Sequence, residues 1–357
     1  MRQGLSKWGR ALAVAATYIG AVVGAGFASG SEILHFFNYH GPQGLFGVIL
    51  AAGGFALVGY CILESVRAAG ARNYRDFLNT VFGPHLTVIL DGILTFYLAG
   101  GLAVVLAGGG AVFYQQWNLP YNLGVWVMAA GVTAVVLGGA GGVLSANLVL
   151  VPMLLMVVVA TGVMALRGAR LSDLVSLAGG ELPLPSGGWA LSALLYVAYN
   201  SLLALGILAS TGRELSGRRA SMLAGFLGGL GLGACGLLIA LANHYHFQAV
   251  KTLPVPMLFI ASVWGKHMAQ VYSFALLVAM LTTGITNAYS LGRRLAGDRG
   301  NARLWAGATV LFVTPFARLG FTTLIRTVYP LMGYLGLGFV TWILIHCLRH
   351  PGRSRAG

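Results

Sequence analysis

Charge is what this sequence lacks. Asp and Glu together number 8 in 357 residues, and all charged residues make up only 8% of the chain. Soluble domains carry about 25% charge, so with mean hydropathy at +0.81 a water-soluble enzyme or binding module is excluded. An integral membrane protein built of spanning helices remains. Cysteine is scarce as well: Cys61, Cys235 and Cys347 stand far apart in apolar surroundings, which excludes a disulfide framework and a C-x-x-C metal site. The apolar runs contain no HExxH, no GxSxG and no aspartyl pair, so the motifs of an intramembrane enzyme are missing. His244 and His246 form an H-x-H pair, an incomplete zinc set.

Positive charge is present, 22 Lys and Arg for a formal net charge of +14. It falls in short clusters between apolar runs, the pattern of membrane orientation signals and not of a nucleic-acid surface. Ten segments can be drawn, over 11–38, 44–66, 85–115, 122–139, 143–166, 189–212, 218–243, 268–292, 303–320 and 323–348. With both termini in the cytoplasm, Arg2, Lys7, Arg10, Arg67, Arg72, Arg75, Arg213, Arg218, Arg219, Arg293, Arg294, Arg299, Arg303, Arg349, Arg353 and Arg355 lie inside. Only Arg167, Arg170, Lys251, Lys266, Arg318 and Arg326 would lie outside, and sixteen against six favours both termini inside. Between the second and third segments, Tyr74, Phe77, Leu78 and Val81 among charges predict a cytoplasmic amphipathic helix or a surface loop. Pro254 and Pro256 mark an outer connection from His244 to Lys266 that packs over an external vestibule or forms a loop.

The first segment holds the run Gly20-Ala21-Val22-Val23-Gly24-Ala25-Gly26-Phe27-Ala28-Ser29-Gly30-Ser31-Glu32. Each of its four glycines weakens a helix by up to about 1 kcal/mol relative to Ala, and a carboxylate follows at a depth where charge is rare. Backbone that unwinds in a membrane must face protein, water or ligand. The run therefore reads as a binding site on a broken helix, or as a small-residue packing face. Ser29 to Glu32 also matches a capping box, with Ser29 at the helix start and Glu32 reaching back. Leu208-Ala209-Ser210-Thr211-Gly212-Arg213-Glu214 faintly echoes the run five segments later, as an inverted repeat of 11–166 and 189–348 requires.

The stretch from Thr17 to Glu32 resembles the first-helix signature of YkvI-type bacterial membrane proteins. More remotely it resembles the unwound first helix of the LeuT-like amino acid–polyamine–organocation superfamily. That resemblance implies an all-α fold of ten transmembrane helices, five plus five in inverted repeat, with helices one and six broken at mid-membrane and substrate between them. On the sixth segment the expected break runs from Tyr199-Asn200-Ser201 to Gly206. Ala279-Met280-Leu281-Thr282-Thr283 is similar to the stretch that supplies one carbonyl and two hydroxyls to a sodium ion, completed by carbonyls matching Gly20 and Val23. Phe27 stands where symporters with a second sodium carry an amide, which argues against a second ion.

The expected function is a secondary active transporter of the bacterial cytoplasmic membrane. It carries a small polar metabolite, an amino acid or organic amine, by alternating access coupled to Na⁺ or H⁺; the rival is a sensor on the same scaffold. Expected substrate contacts are Val22, Gly24, Ala25, Gly26, Phe27, Ser29, Tyr97, Asn200 and Ser201, with Gly20, Val23, Ala279, Thr282 and Thr283 for Na⁺. Glu32 is expected to couple protons or bind an amine, and His35 beyond it reads as a packed outer-end histidine or as a sharer of that proton. The helix start near Ser29 favours a substrate carboxylate, an ionised Glu32 an amine, and these two cues conflict. Glu64 and Asp91, nearer the cytoplasmic ends, are expected to pair with Arg67 or Arg72 or to line an exit path.

Overall fold

The structure is a computed structural model that describes residues 6–71, 74–139, 143–169, 188–297 and 300–349, with backbone alone between 143 and 148. Arg2, Arg72, Arg170, Arg299, Arg353 and Arg355 of the charge pattern lie outside the described residues. Within them every regular element is a helix. The first segment is divided into α1 (Lys7–Val22), α2 (Ala25–Ala28) and α3 (Ser31–Phe36). Long helices follow as α4 (Pro42–Ala69), α5 (Tyr74–Trp117), α6 (Tyr121–Gly138), α7 (Val143–Ala165), α8 (Gly188–Thr211) and α9 (Arg218–Tyr245). After the short α10 (Phe247–Val250) and α11 (Pro256–Val263) come α12 (Lys266–Ala296), α13 (Ala302–Ala317) and α14 (Phe321–Arg349).

Local chemistry accounts for the punctuation. Ser6 caps α1, its Oγ accepting from the Gly9 N–H at 3.1 Å. α5 is two helices joined at Gly83 (φ 77, ψ 169). Pro84 follows at a first-turn position, where its missing N–H costs nothing. The arm before this kink buries Phe77 and Leu78 completely, as the amphipathic pattern predicts.

Among the described residues seven helices are long and apolar enough to cross a membrane; 149–165 and α13 are shorter apolar helices. The outward surface is apolar, with Val88, Phe312 and Leu348 at 72%, 73% and 79% exposure, as lipid contact requires. α4 packs on α9 and α8, and α1 lies against the same pair. A second group joins α5, α6, α12 and α13, while α14 touches α8, α4 and α5. Where α4 and α9 meet, Gly225 and Gly229 face the backbone of Tyr60 and Ala56 so closely that any Cβ would overlap it.

One expectation is corrected. The sixth segment, α8, is a continuous helix through Tyr199, Asn200, Ser201 and Gly206. The Asn200 amide donates to the Tyr196 carbonyl at 3.0 Å, one turn back, so its polarity is spent inside the helix. Leu202, Leu203, Ala204 and Leu205 after it are good helix formers.

Candidate functional site

The site begins where α1 stops. Val23 (φ −73, ψ 84) leaves the helix and Gly24 is extended (φ −101, ψ −171). After one turn as α2 the chain reverses at Gly30, whose φ of 77 suits glycine alone at low cost. Neighbouring elements satisfy the freed carbonyls: Tyr272 OH donates to Ala28 O at 2.5 Å and Asn243 Nδ2 to Gly30 O at 3.0 Å. The Met257 N–H of α11 donates to Ser29 O at 3.1 Å. Gln115 clamps α11 in turn, with Nε2 donating to Val255 O at 2.8 Å and Oε1 accepting from Val255 N at 3.0 Å. The carbonyls of Gly20 and Val23 and the Phe27 N–H have no backbone partner among the described residues.

A cavity of about 380 Å³ opens beside this break. Its walls are Gly20 to Gly26 and Glu32 from the divided segment, Tyr97 and Gly101 from α5, Leu150, Val151 and Leu154 from α7, and Tyr199, Asn200 and Gly206 from α8. α12 contributes Ala279, Thr282, Thr283, Thr286, Asn287 and Ser290, and α14 contributes Tyr329 and Met332. Glu32 is 5% exposed, and Tyr199 OH donates to its Oε2. A hydrogen bond to a charged group contributes about 1.5–3 kcal/mol, a partial offset to burying the carboxylate. The Tyr199 ring stacks on Tyr329 with centroids 4.9 Å apart and an interplanar angle of 22°, and Tyr196 meets it edge-on at 5.5 Å. Gly26 faces Glu32 Oε1, and a Cβ there would collide with the carboxylate.

Comparison with known proteins gives the lineage. An uncharacterized membrane protein of Bacillus subtilis, YkvI, is 27% identical over 355 residues, covering 97% of this chain and 98% of the relative. A second uncharacterized protein of that organism, YyaD, is 25% identical over 335 residues, covering 92% and 94%. This chain is a homologue of YkvI and YyaD. No protein-family model matches it. An inward-facing structure of Mhp1 aligns with a TM-score of 0.65 at 15% identity, covering 95% of this chain and 76% of that one. A manganese transporter of Eremococcus coleocola gives 0.64 at 14% identity, covering 97% and 81%. MhsT in complex with L-phenylalanine gives 0.62 at 17%, covering 94% and 89%. The chain therefore shares its fold with these LeuT-fold structures.

Within that fold, twelve of the fifteen residues singled out from the sequence border one cavity: Gly20, Val22, Val23, Gly24, Ala25, Gly26, Glu32, Tyr97, Asn200, Ala279, Thr282 and Thr283. Three do not. Phe27 is 1% exposed in the core, Ser201 is fully buried away from the cavity, and Ser29 is occupied locally. Ser29 Oγ donates to Gly26 O at 2.6 Å and accepts from the Ser31 N–H at 3.1 Å. The capping box is accordingly not formed: the Ser29 N–H bonds to Ala25 O, and Glu32 turns to Tyr199 instead. Tyr97 donates to the Met332 carbonyl. Thr282 and Thr283 both donate to Ala279 O, at 3.1 and 2.8 Å, which leaves hydroxyl lone pairs for another partner.

Tyr199, Tyr329, Thr286, Asn287 and Ser290 were missed as site residues. Thr282, Thr286 and Ser290 recur at i, i+4 and i+8 and form a polar stripe in an apolar helix, a signal present in the sequence. Tyr329, on the last helix, carries no such signal. The two other acids expected within the spans are paired elsewhere. Arg67 holds Glu64 through two hydrogen bonds at 2.9 and 2.6 Å. Asp91 pairs with Arg294 at 2.8 Å and not with Arg67, because α5 lies against α12; Arg72 lies outside the described residues. His35 is taken by Ser31 O at 2.7 Å and faces Tyr39, so no hydrogen bond joins it to Glu32.

Proposed function

We propose that the chain is a secondary active transporter that carries a small polar metabolite, an amino acid or organic amine, by alternating access. The observation that carries this reading is the cavity at the chain break, where unpaired backbone groups and a buried carboxylate meet on the LeuT fold. Transport and not catalysis is the reading. In it the apolar helices make ten spans, 11–166 and 189–348 form the inverted repeat, and the first helix is interrupted at mid-membrane. The arginine pattern puts both termini in the cytoplasm, and with them the Arg293-Arg294 end of α12. The stripe of Thr282, Thr286 and Ser290 then leads from the cavity toward the inside, while α11 over Ser29 closes the outside. Glu32 takes or releases a proton or meets the amine.

The coupling ion in this reading is Na⁺ at Gly20, Val23, Ala279, Thr282 and Thr283, or H⁺. Oxygen ligands suit a hard cation, and two of the five are the carbonyls of Gly20 and Val23, which no backbone N–H among the described residues occupies. The test is uptake into liposomes reconstituted with the protein, repeated with Na⁺ replaced by K⁺ and again with the pH gradient collapsed. Thr282→Ala and Thr283→Ala are expected to raise the Na⁺ concentration for half-maximal uptake at least about tenfold. Unchanged Na⁺ dependence in both removes the ion from these residues. Ligand binding without flux under any gradient makes the protein a sensor.

A further inference from the structure

Among the described residues Glu32 is the only lining side chain that carries a formal charge, and no described Lys, Arg or His borders the cavity. From this we infer that the cavity takes a small organic ammonium ion bearing no carboxylate, with Glu32 as counter-ion and the Tyr199–Tyr329 stack as its aromatic wall. The inference rests on the transport reading only for the fate of the ligand, since the recognition is a property of the cavity.

Three observations carry it. First, a buried carboxylate needs a cation or a proton, and the phenol of Tyr199 supplies only a neutral hydrogen bond to Oε2. The Oε1 side faces Gly26, where the absence of a Cβ leaves room for the carboxylate to stand in this position. Second, the Tyr199 and Tyr329 rings lie stacked at 4.9 Å, and both border the cavity beside that carboxylate. Tyr199 also stacks on Phe36 at 5.7 Å, so the ring face left to attract an ammonium group through its quadrupole is that of Tyr329. Third, the opposing cue from the sequence is gone. Ser29, Gly30 and Ser31, at the start of α3, do not border the cavity, and the Ser31 N–H is already bonded to Ser29 Oγ. A substrate carboxylate would thus be buried with Glu32 facing it and no side-chain cation among the described residues to meet it, an arrangement that costs several kcal/mol. A volume of about 380 Å³ suits a small metabolite.

The experiment uses the full chain in detergent and then in liposomes. Probes are choline, tetramethylammonium and isobutylamine, against acetate and the zwitterions glycine and leucine. The cations are expected to raise the melting temperature, and the carboxylate-bearing probes are not. Glu32→Gln is expected to weaken cation binding at least about thirtyfold, Tyr329→Leu about tenfold, and Glu32→Asp less than Glu32→Gln. Should Glu32→Gln fail to fold, the Tyr329→Leu and Glu32→Asp titrations decide alone. Zwitterion uptake with no cation binding overturns the inference and leaves the transporter intact. Glu32-dependent cation binding without flux under any gradient does the reverse. Cation binding of equal strength in Glu32→Gln, or no shift with any of the three cations, overturns the inference.

Discussion

The first and sixth segments are counterparts in the expected repeat, yet one is divided and the other is not. Between Gly20 and Gly30 the first segment has four glycines, and it leaves the helix at Val23–Gly24 and again at Ser29–Gly30. The sixth has Gly206 alone in its interior and runs unbroken from Gly188 to Thr211. Polarity does not explain the difference, because Asn200 and Ser201 sit inside an intact helix. What separates them is how many residues can leave helical geometry cheaply, together with external donors that receive the freed carbonyls. Tyr272, Asn243 and Met257 supply those donors to Ala28, Gly30 and Ser29. No such set reaches the middle of α8 among the described residues. Binding chemistry then concentrates on the divided side, and α8 contributes side chains, Tyr199 above all.

The strongest way to break this comparison is Gly30→Ala. The residue would hold φ near 77, which costs an L-residue roughly 1–2 kcal/mol, and its Cβ would stand 2.7 Å from Met257 Cγ. With repacking of Met257 included, the expected loss is roughly 2–4 kcal/mol. It is read as a lower melting temperature and as weaker packing of α11, visible in faster hydrogen exchange at Met257. A variant as stable as the parent would mean that the turn at Gly30 is not fixed by its backbone conformation.

Much of this was legible in the sequence, for physical reasons that differ by region. Apolar runs place α4, α6, α9 and α12 to within a few residues, because lipid burial is read residue by residue. Gly83-Pro84 announces the α5 kink, since both residues act on their own backbone. The break after Val22 was visible for the same reason. Partnerships across the bundle were not. Glu32 meets Tyr199, 167 residues away, and Asp91 meets Arg294, 203 residues away. Nothing local to Glu32 or Asp91 names those partners. The expected break in α8 has another origin: it came from the resemblance and not from the residues themselves, and the bond from Asn200 to Tyr196 O shows that amide satisfied within its own helix.

A middle-sized effect is expected from Tyr272→Phe, which removes the 2.5 Å donor to Ala28 O and leaves a buried carbonyl without it. The cost is about 1–2 kcal/mol. Because the ring stays, packing is conserved, and the loss should appear as faster hydrogen exchange in residues 25–31 with the rest of the bundle unaffected. If exchange rises uniformly instead, Tyr272 supports the whole fold and not the division of the first segment.

The smallest effect is the most informative about the other side. Gly206 lies in helical α8 with open space where a Cβ would go. Gly206→Ala should therefore stabilise the protein, by roughly 0.5–1 kcal/mol, since Ala is the better helix residue by about that amount. A rise in melting temperature of a few degrees is the measurement. The same chemical change, one methyl group, then acts with opposite signs at Gly30 and at Gly206. A fall at Gly206 would mean that α8 leaves helical geometry there during its working cycle, and the sixth segment would rejoin the first as a broken helix. Because Gly206 also borders the cavity, ligand affinity is measured beside uptake: a methyl group that crowds the cavity weakens binding, whereas a lost hinge lowers uptake while binding is kept.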